Sequence, residues 1–214
     1  MDFAALQARV LASLASDSDD PIAASTDDFI NDGLHFLETA APEGWPWMRE
    51  PMTVSLTAST SRYLFSDLST ATTVVKILSV KAQTGDGANL PLEYRSVDEA
   101  DNLYDSTTQT GPPESYSVDG SALIIYPPPD GTYTATLRVV FAEPDLTAST
   151  DTPTLPTVFH RAIVDAALAV MYGALQDDKR QAFYEQKTDT WIQRMRRYGN
   201  QSEASPKIRV REPL

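Results

Sequence analysis

Apolar residues recur along this chain in two rhythms, and the change of rhythm marks its organisation. Phe3, Leu6, Val10 and Leu14 fall three and four positions apart, which puts them on one face of a short helix. Ser16-Asp17-Ser18-Asp19-Asp20-Pro21 interrupts the pattern with turn residues. Ser25 or Thr26 then offers an N-cap oxygen for a second helix, with Asp27 and Asp28 in its first turn, where carboxylates meet the positive end of the helix dipole. Phe29, Ile30, Gly33, Leu34 and Leu37 form its apolar face, and Pro42 and Gly44 end it.

From Trp45 to Glu143 the period falls to two. Met52, Val54 and Leu56 alternate with Thr53, Ser55 and Thr57, Val74 to Gln83 is rich in branched residues, and Tyr133, Ala135, Leu137 and Val139 alternate with polar neighbours. These segments read as strands. Asp119-Gly120 joins Tyr116-Ser117-Val118 to Leu123-Ile124-Ile125-Tyr126 as a hairpin, and Pro127-Pro128-Pro129-Asp130-Gly131 connects to the next strand. Ser96 to Tyr104 reads as a short helix capped by Ser96, with Glu99 at its third position.

Helical spacing returns beyond a linker from Leu146 to Pro156, whose Thr, Ser and Pro residues offer no core. A helix that follows Pro156 and runs to about Gln176 carries Phe159, Ile163, Ala167, Met171 and Leu175 at intervals of four. After Asp177-Asp178, a further helix sets Tyr184, Thr188, Trp191, Met195 and Tyr198 along one seam, which suits helix packing or contact with a neighbouring subunit; Gly199 is read as its end. Residues 200–214 have no helical period. There Ile208 and Val210 alternate with Lys207, Arg209 and Arg211 in an extended tail. The expectation is an α+β fold: a four-helix bundle built from an N-terminal pair (1–44) and a C-terminal pair (146–199), an antiparallel β-rich block inserted at 45–145, and a basic tail at 200–214.

Charge sharpens this picture. The chain of 214 residues holds 17 Lys plus Arg against 30 Asp plus Glu, a formal net charge of −13. An acidic body repels a duplex, so any nucleic-acid contact has to be local. The excess is uneven: residues 1–150 carry 7 basic and 22 acidic side chains, whereas residues 191–214 carry 6 basic and 2 acidic. Arg194, Arg196 and Arg197 suit the negative pole of a helix end, a reading that leaves Lys207, Arg209 and Arg211 unexplained. Cysteine is absent, which excludes disulfides, thiolate-bound zinc and cysteine nucleophiles. No apolar run reaches the roughly 18–20 residues of a membrane span, and no export signal is evident at the acidic N-terminus. A soluble, unexported protein made in the cytoplasm is expected.

Catalytic chemistry finds little support. His35 and His160 are the two histidines, and read as surface or cap residues rather than a shared metal site. Asp19-Asp20, Asp27-Asp28 and Asp177-Asp178 read as charges at helix starts, since adjacent carboxylates do not face one cleft. Gly-rich phosphate loops, Gly-x-Ser-x-Gly elbows and His-Glu-x-x-His pairs do not occur. No enzyme activity, metal or cofactor is expected. Trp45, Trp47, Tyr63, Tyr94, Tyr116 and Tyr126 leave open a glycan-binding face on the β block, with scattered carboxylates for cleavage, although strand aromatics ordinarily pack in cores.

The order of these features resembles the head-to-tail adaptor (connector) proteins of tailed bacteriophages, including those called tail tubular protein A. The residues that carry the likeness are the acidic helix pair closing on Glu43-Gly44-Trp45-Pro46-Trp47, the hairpin from Tyr116 to Pro129, Val139-Val140-Phe141, and Phe159-His160-Arg161-Ala162-Ile163-Val164 opening the long helix. The resemblance implies a virion protein that forms a dodecameric ring beneath the portal, with tail or nozzle proteins below it and DNA passing through without specific binding. It also implies that the C-terminal tail, with Lys207, Ile208, Arg209, Val210 and Arg211, grips the portal. Tyr184, Trp191, Met195 and Tyr198 would serve core or subunit packing, and the isolated chain could be a monomer. A neck protein that binds another ring is the alternative within this class.

Overall fold

A computed structural model describes residues 1–14, 25–69, 73–83, 89–104 and 110–203. Its helices are α1 (Phe3–Leu14), α2 (Thr26–Thr39), α3 (Phe65–Leu68), α4 (Val97–Leu103), α5 (His160–Ala174) and α6 (Asp178–Glu203). Its strands are β1 (Arg49–Leu56), β2 (Arg62–Leu64), β3 (Val74–Gln83), β4 (Asn89–Pro91), β5 (Glu93–Tyr94), β6 (Ser115–Asp119), β7 (Ala122–Tyr126) and β8 (Tyr133–Phe141). The fold is α+β and divides into two compact units, one of Met1–Trp47 with the chain from Glu143 on, the other of Met48–Ala142.

The helical unit is organised around α5. Ala162 to Ala169 are buried without a break, so this helix is enclosed on all sides, with Asp165 as the one charged residue in that run. α1, α2 and α6 each pack against it, and α1 also touches α2. The expected four-helix bundle therefore does not form. Four amphipathic helices would have to share one axial core, whereas here α5 offers every side to its neighbours and itself is the core. α2 approaches α5 at Gly33, where a Cβ would lie 2.6 Å from the Ala167 backbone nitrogen. α5 ends in a Schellman arrangement, with Asp177 N–H donating to Tyr172 O (3.0 Å), Gln176 N–H to Gly173 O (3.1 Å) and Gln176 at φ 56°.

Three local expectations change in this unit. Gly199 does not end α6, which runs on to Glu203. A glycine inside a helix costs about 1 kcal/mol relative to alanine, and here its lack of a side chain admits Pro46, whose Cγ would meet an added Cβ at 3.1 Å. Ser25 occupies the N-cap position of α2 but makes no side-chain cap bond. The linker is not coreless: Leu146 and Leu155 are buried. Asn31 brackets Leu146, donating to its carbonyl (3.2 Å) and accepting from its N–H (2.9 Å), and the start of α1 donates through Phe3 N to Asp151 O (2.8 Å) and Ala4 N to Ser149 O (3.1 Å).

The β unit holds two four-stranded sheets, ordered β1-β8-β3-β4 and β2-β7-β6-β5. Residues from both, including Leu56, Leu123, Ile125 and Leu137, share one hydrophobic core. The expected all-antiparallel block is corrected at one edge, where β5 pairs with β6 in parallel; the helix α4 between them supplies the crossover that parallel pairing requires. Register in the first sheet separates its faces. Met52–Leu137–Val80 and Val54–Ala135–Ala82 form core-facing rows, and the rows that alternate with them, Pro51–Arg138–Ser79 and Thr53–Thr136–Lys81, face outward. Gly120 takes φ 58° in the β6–β7 hairpin, a conformation that favours glycine. α4 has the capping box expected from Ser96 and Glu99. It docks through buried Ala100 onto Ile124 and Tyr126, and Tyr126 Oη donates to Asp101 (2.9 Å). Burial, reinforced by the Asp101 carboxylate, holds the Tyr126 phenol up to about 12.

Candidate functional site

The distal part of α6 is fixed to the rest of the helical unit by an aromatic cluster. Trp45 stacks on Trp47 with centroids 5.1 Å apart and planes 7° from parallel. Trp47 meets Phe159 at 6.1 Å and Tyr198 at 6.3 Å, and Phe159 meets Tyr198 edge-on at 5.3 Å. Trp45 Nε1 donates to Leu37 O at 2.8 Å. The cluster thus ties the segment after α2, the entry to α5 and the last turns of α6. Trp45 and Trp47, read from the sequence as members of the β block, belong instead to the helical unit.

Arg196 also acts here, but not on its own helix. Its guanidinium donates to Ala40 O at 3.0 Å, so the cation sits at the carbonyl end of α2, where it offsets that helix's negative pole. α6 extends to Glu203, and no basic residue lies in its last turn. The helix-end reading of Arg194, Arg196 and Arg197 is therefore corrected. Arg194 lies over the Trp191 ring at 4.9 Å, within cation–π range.

Along the seam of α6, Tyr184 stacks on Tyr172 of α5 (5.6 Å, 12°). Met195 and Thr188 are buried, and Tyr198 remains 45% exposed. Trp191 Nε1 donates to Asp165 Oδ2 at 2.9 Å, and Lys187 Nζ approaches the other carboxylate oxygen at 3.7 Å. Asp165 is only 4% exposed, so a buried carboxylate is held by two groups of α6. It escaped the sequence reading because an aspartate amid alanines on an apolar helix shows no spacing that reveals its partner. Lys207, Ile208, Arg209, Val210 and Arg211 lie outside the described residues.

The histidines occupy different surroundings. His160 is buried, correcting the surface reading. Its Nε2–H donates to Leu155 O at 2.7 Å and its Nδ1 lies 2.6 Å from the Met1 amine. Burial lowers its pKa, with the Leu155 bond opposing. His35 bonds Glu38 (3.1 Å) and Asp145 (2.7 Å); burial would lower its pKa, but these carboxylates together raise it. Asp177 accepts from Arg180 N at 3.1 Å at the start of α6, as a capping carboxylate does. Among the described residues, no group of three or more His, Asp or Glu could hold a metal ion, and no helix is long and apolar enough to cross a membrane.

Glu143 is the other buried carboxylate, accepting from Thr154 through its N–H (2.7 Å) and its hydroxyl. Burial raises its pKa, the Thr154 bonds oppose this, and Glu38 adds repulsion. A carboxyl raised in the fold favours folding below its ordinary value of 4.5, and that advantage is lost as pH rises through the raised value. Glu143→Gln keeps an acceptor for the Thr154 N–H and has no charge to bury. Thermal melts at pH 4 and pH 8 should show the variant gaining on the parent chain as pH rises, and a constant difference between the two would remove this assignment.

The geometry fixes α6 firmly at its distal end, and kinship shows what class of protein carries it. Residues 1–211 match the model of the SU10 adaptor protein family. The chain belongs to the SU10 adaptor protein family. Membership covers both units and makes the protein a structural adaptor of a bacteriophage virion, a role that works through binding other virion proteins. Comparison with curated protein sequences gives no match. The SU10 family assignment gives the resemblance drawn from Glu43–Trp47 and the Tyr116–Pro129 hairpin its coarse form, a phage adaptor.

Proposed function

We propose that this SU10 adaptor assembles as a ring, dodecameric by analogy with tail tubular protein A and related connectors, beneath the portal. There it joins head to tail and continues the channel through which the genome is retained and ejected. Lys207, Ile208, Arg209, Val210 and Arg211 dock on the portal, the apolar pair in contacts and the cations against acidic groups. The helical unit supplies side-by-side packing, with exposed Tyr198 near the subunit boundary, and tail or nozzle proteins bind below. The observation that carries this reading is the anchoring of α6. Its distal turns are clamped by Trp47, Phe159 and Tyr198, so the only strongly cationic stretch of an acidic chain begins from a fixed point. Preorganising the root of a binding segment lowers the ordering cost of docking.

Light scattering after chromatography, on the chain alone and mixed with a portal ring, tests this. A complex near twelve adaptors per portal is expected, lost on deleting residues 204–214 and weakened at least tenfold by Arg209→Glu with Arg211→Glu. Portal binding unchanged by the deletion would overturn the tail's role. No association at any salt would move the protein to another neck position.

A further inference from the structure

The outward face of the β1-β8-β3 sheet contradicts the charge of the chain that carries it. The β unit holds six cations from Arg49 to Arg138. Arg62 pairs with Asp119 at 2.9 Å, and Arg95 pairs with Glu93. Register also gathers Arg49, Lys76, Lys81 and Arg138 on this one face: Arg49 and Lys76, which make contacts of their own, flank Val140, Arg138 lies between Pro51 and Ser79, and Lys81 sits opposite Thr136. The sole carboxylate of these three strands, Glu50, belongs to the alternate row with Val139 and Ile77. Lys81 and Arg138 are exposed and form no ion pair among the described residues. Between them lies a hollow of about 300 Å³, lined also by Arg49, Ser79 and Thr136.

We infer that this face binds the phosphate backbone of nucleic acid without reading sequence. Exposed cations beside hydroxyl side chains are the donor set that contacts phosphate oxygens. The face lacks the aromatic anchors that carry protein–protein affinity, which argues against an acidic protein partner. A local patch is also the only form of phosphate contact that a net charge of −13 permits, because the rest of the surface repels the duplex and keeps the contact weak and salt-sensitive. The inference stands on the sheet itself and not on the ring: a chain that failed to bind portal would still be expected to bind DNA.

Fluorescence anisotropy of the full chain with a labelled duplex of about 20 base pairs, titrated from low to moderate salt, tests it. Binding is expected at low salt, equal for two unrelated sequences. Lys81→Glu with Arg138→Glu should weaken it at least tenfold, and the neutral pair Lys81→Gln with Arg138→Gln should reduce the salt slope by about two, one per lost phosphate contact. Arg62→Glu, on the other sheet, should change it less than twofold. Circular dichroism checks that each variant folds. No binding at the lowest salt, or equal binding by the double variants, would overturn the inference. Tighter binding of poly-L-glutamate than of duplex would likewise overturn it and assign the face to an acidic protein segment.

Discussion

Gly33→Ala is expected to destabilise the helical unit by about 2–3 kcal/mol, the upper range for forcing extra atoms into a packed core. An added Cβ would lie 2.6 Å from Ala167 N, 3.1 Å from Ala166 C and 3.1 Å from Ala167 Cα. All three are backbone atoms, so no side chain can rotate away and the two helices must separate. Separation opens the close approach of Gly33 to Ala166 and Ala167 and loosens α2, whose Ile30, Leu34 and Leu37 are buried. Alanine would return about 1 kcal/mol of helix propensity, which the figure already includes. The midpoint of thermal unfolding should fall by about 5–10 °C for a chain of this size. Trp45, Trp47 and Trp191 account for all three tryptophans and lie in the helical unit, so their fluorescence reports this transition apart from that of the β unit. Gly33→Val should be worse. An alanine variant as stable as the parent would mean that α2 and α5 do not approach as closely as described.

The sequence made the elements legible wherever one residue governs one local event. The three-and-four spacing of Phe3, Leu6 and Val10 gave α1, Ser96 with Glu99 gave the capped α4, and Asp119-Gly120 gave the β6–β7 turn. It failed where the decisive partner lies far along the chain. Whether Gly199 terminates a helix or lets Pro46 approach depends on a residue more than a hundred positions away. Trp45 and Trp47 follow the last turn of α2 and precede a strand, and only the contacts of Trp47 with Phe159 and Tyr198, with Trp45 stacked on Trp47, assign them to the helices. The all-round burial of α5 was visible in its run of Ala, Ile, Val and Leu, but four amphipathic patterns in one chain suggested a bundle more readily than a hub. The basic sheet face was hidden for a related reason. Its four cations are scattered from Arg49 to Arg138, and only register across β1, β8 and β3 gathers them. The carboxyl-terminal cations, close together in sequence, were the easier signal.

The pairing of Trp191 with Asp165 is where the seam of α6 should prove most sensitive. Trp191→Phe retains most of the ring and removes the donor that meets Asp165 Oδ2 at 2.9 Å. Among the described residues the carboxylate, 4% exposed, then keeps Lys187 at 3.7 Å, beyond hydrogen-bonding range. A hydrogen bond to a charged group contributes about 1.5–3 kcal/mol, and a buried acceptor left unsatisfied adds its desolvation cost, so a loss of about 3 kcal/mol is expected. Asp165→Asn should be milder, because the amide oxygen still accepts from the indole and only the attraction of Lys187 is lost. Asp165→Ala strands the indole N–H instead, and the half-buried position of Trp191 lets water reach it, which limits the cost to about 2 kcal/mol. The double variant Trp191→Phe with Asp165→Ala leaves neither group unpaired, and should be less destabilised than the sum of the singles by at least about 1.5 kcal/mol. Denaturant unfolding of the four proteins measures that coupling. Additive losses would show that Trp191 holds α6 through the packing of its ring alone, and that the buried carboxylate is satisfied by Lys187.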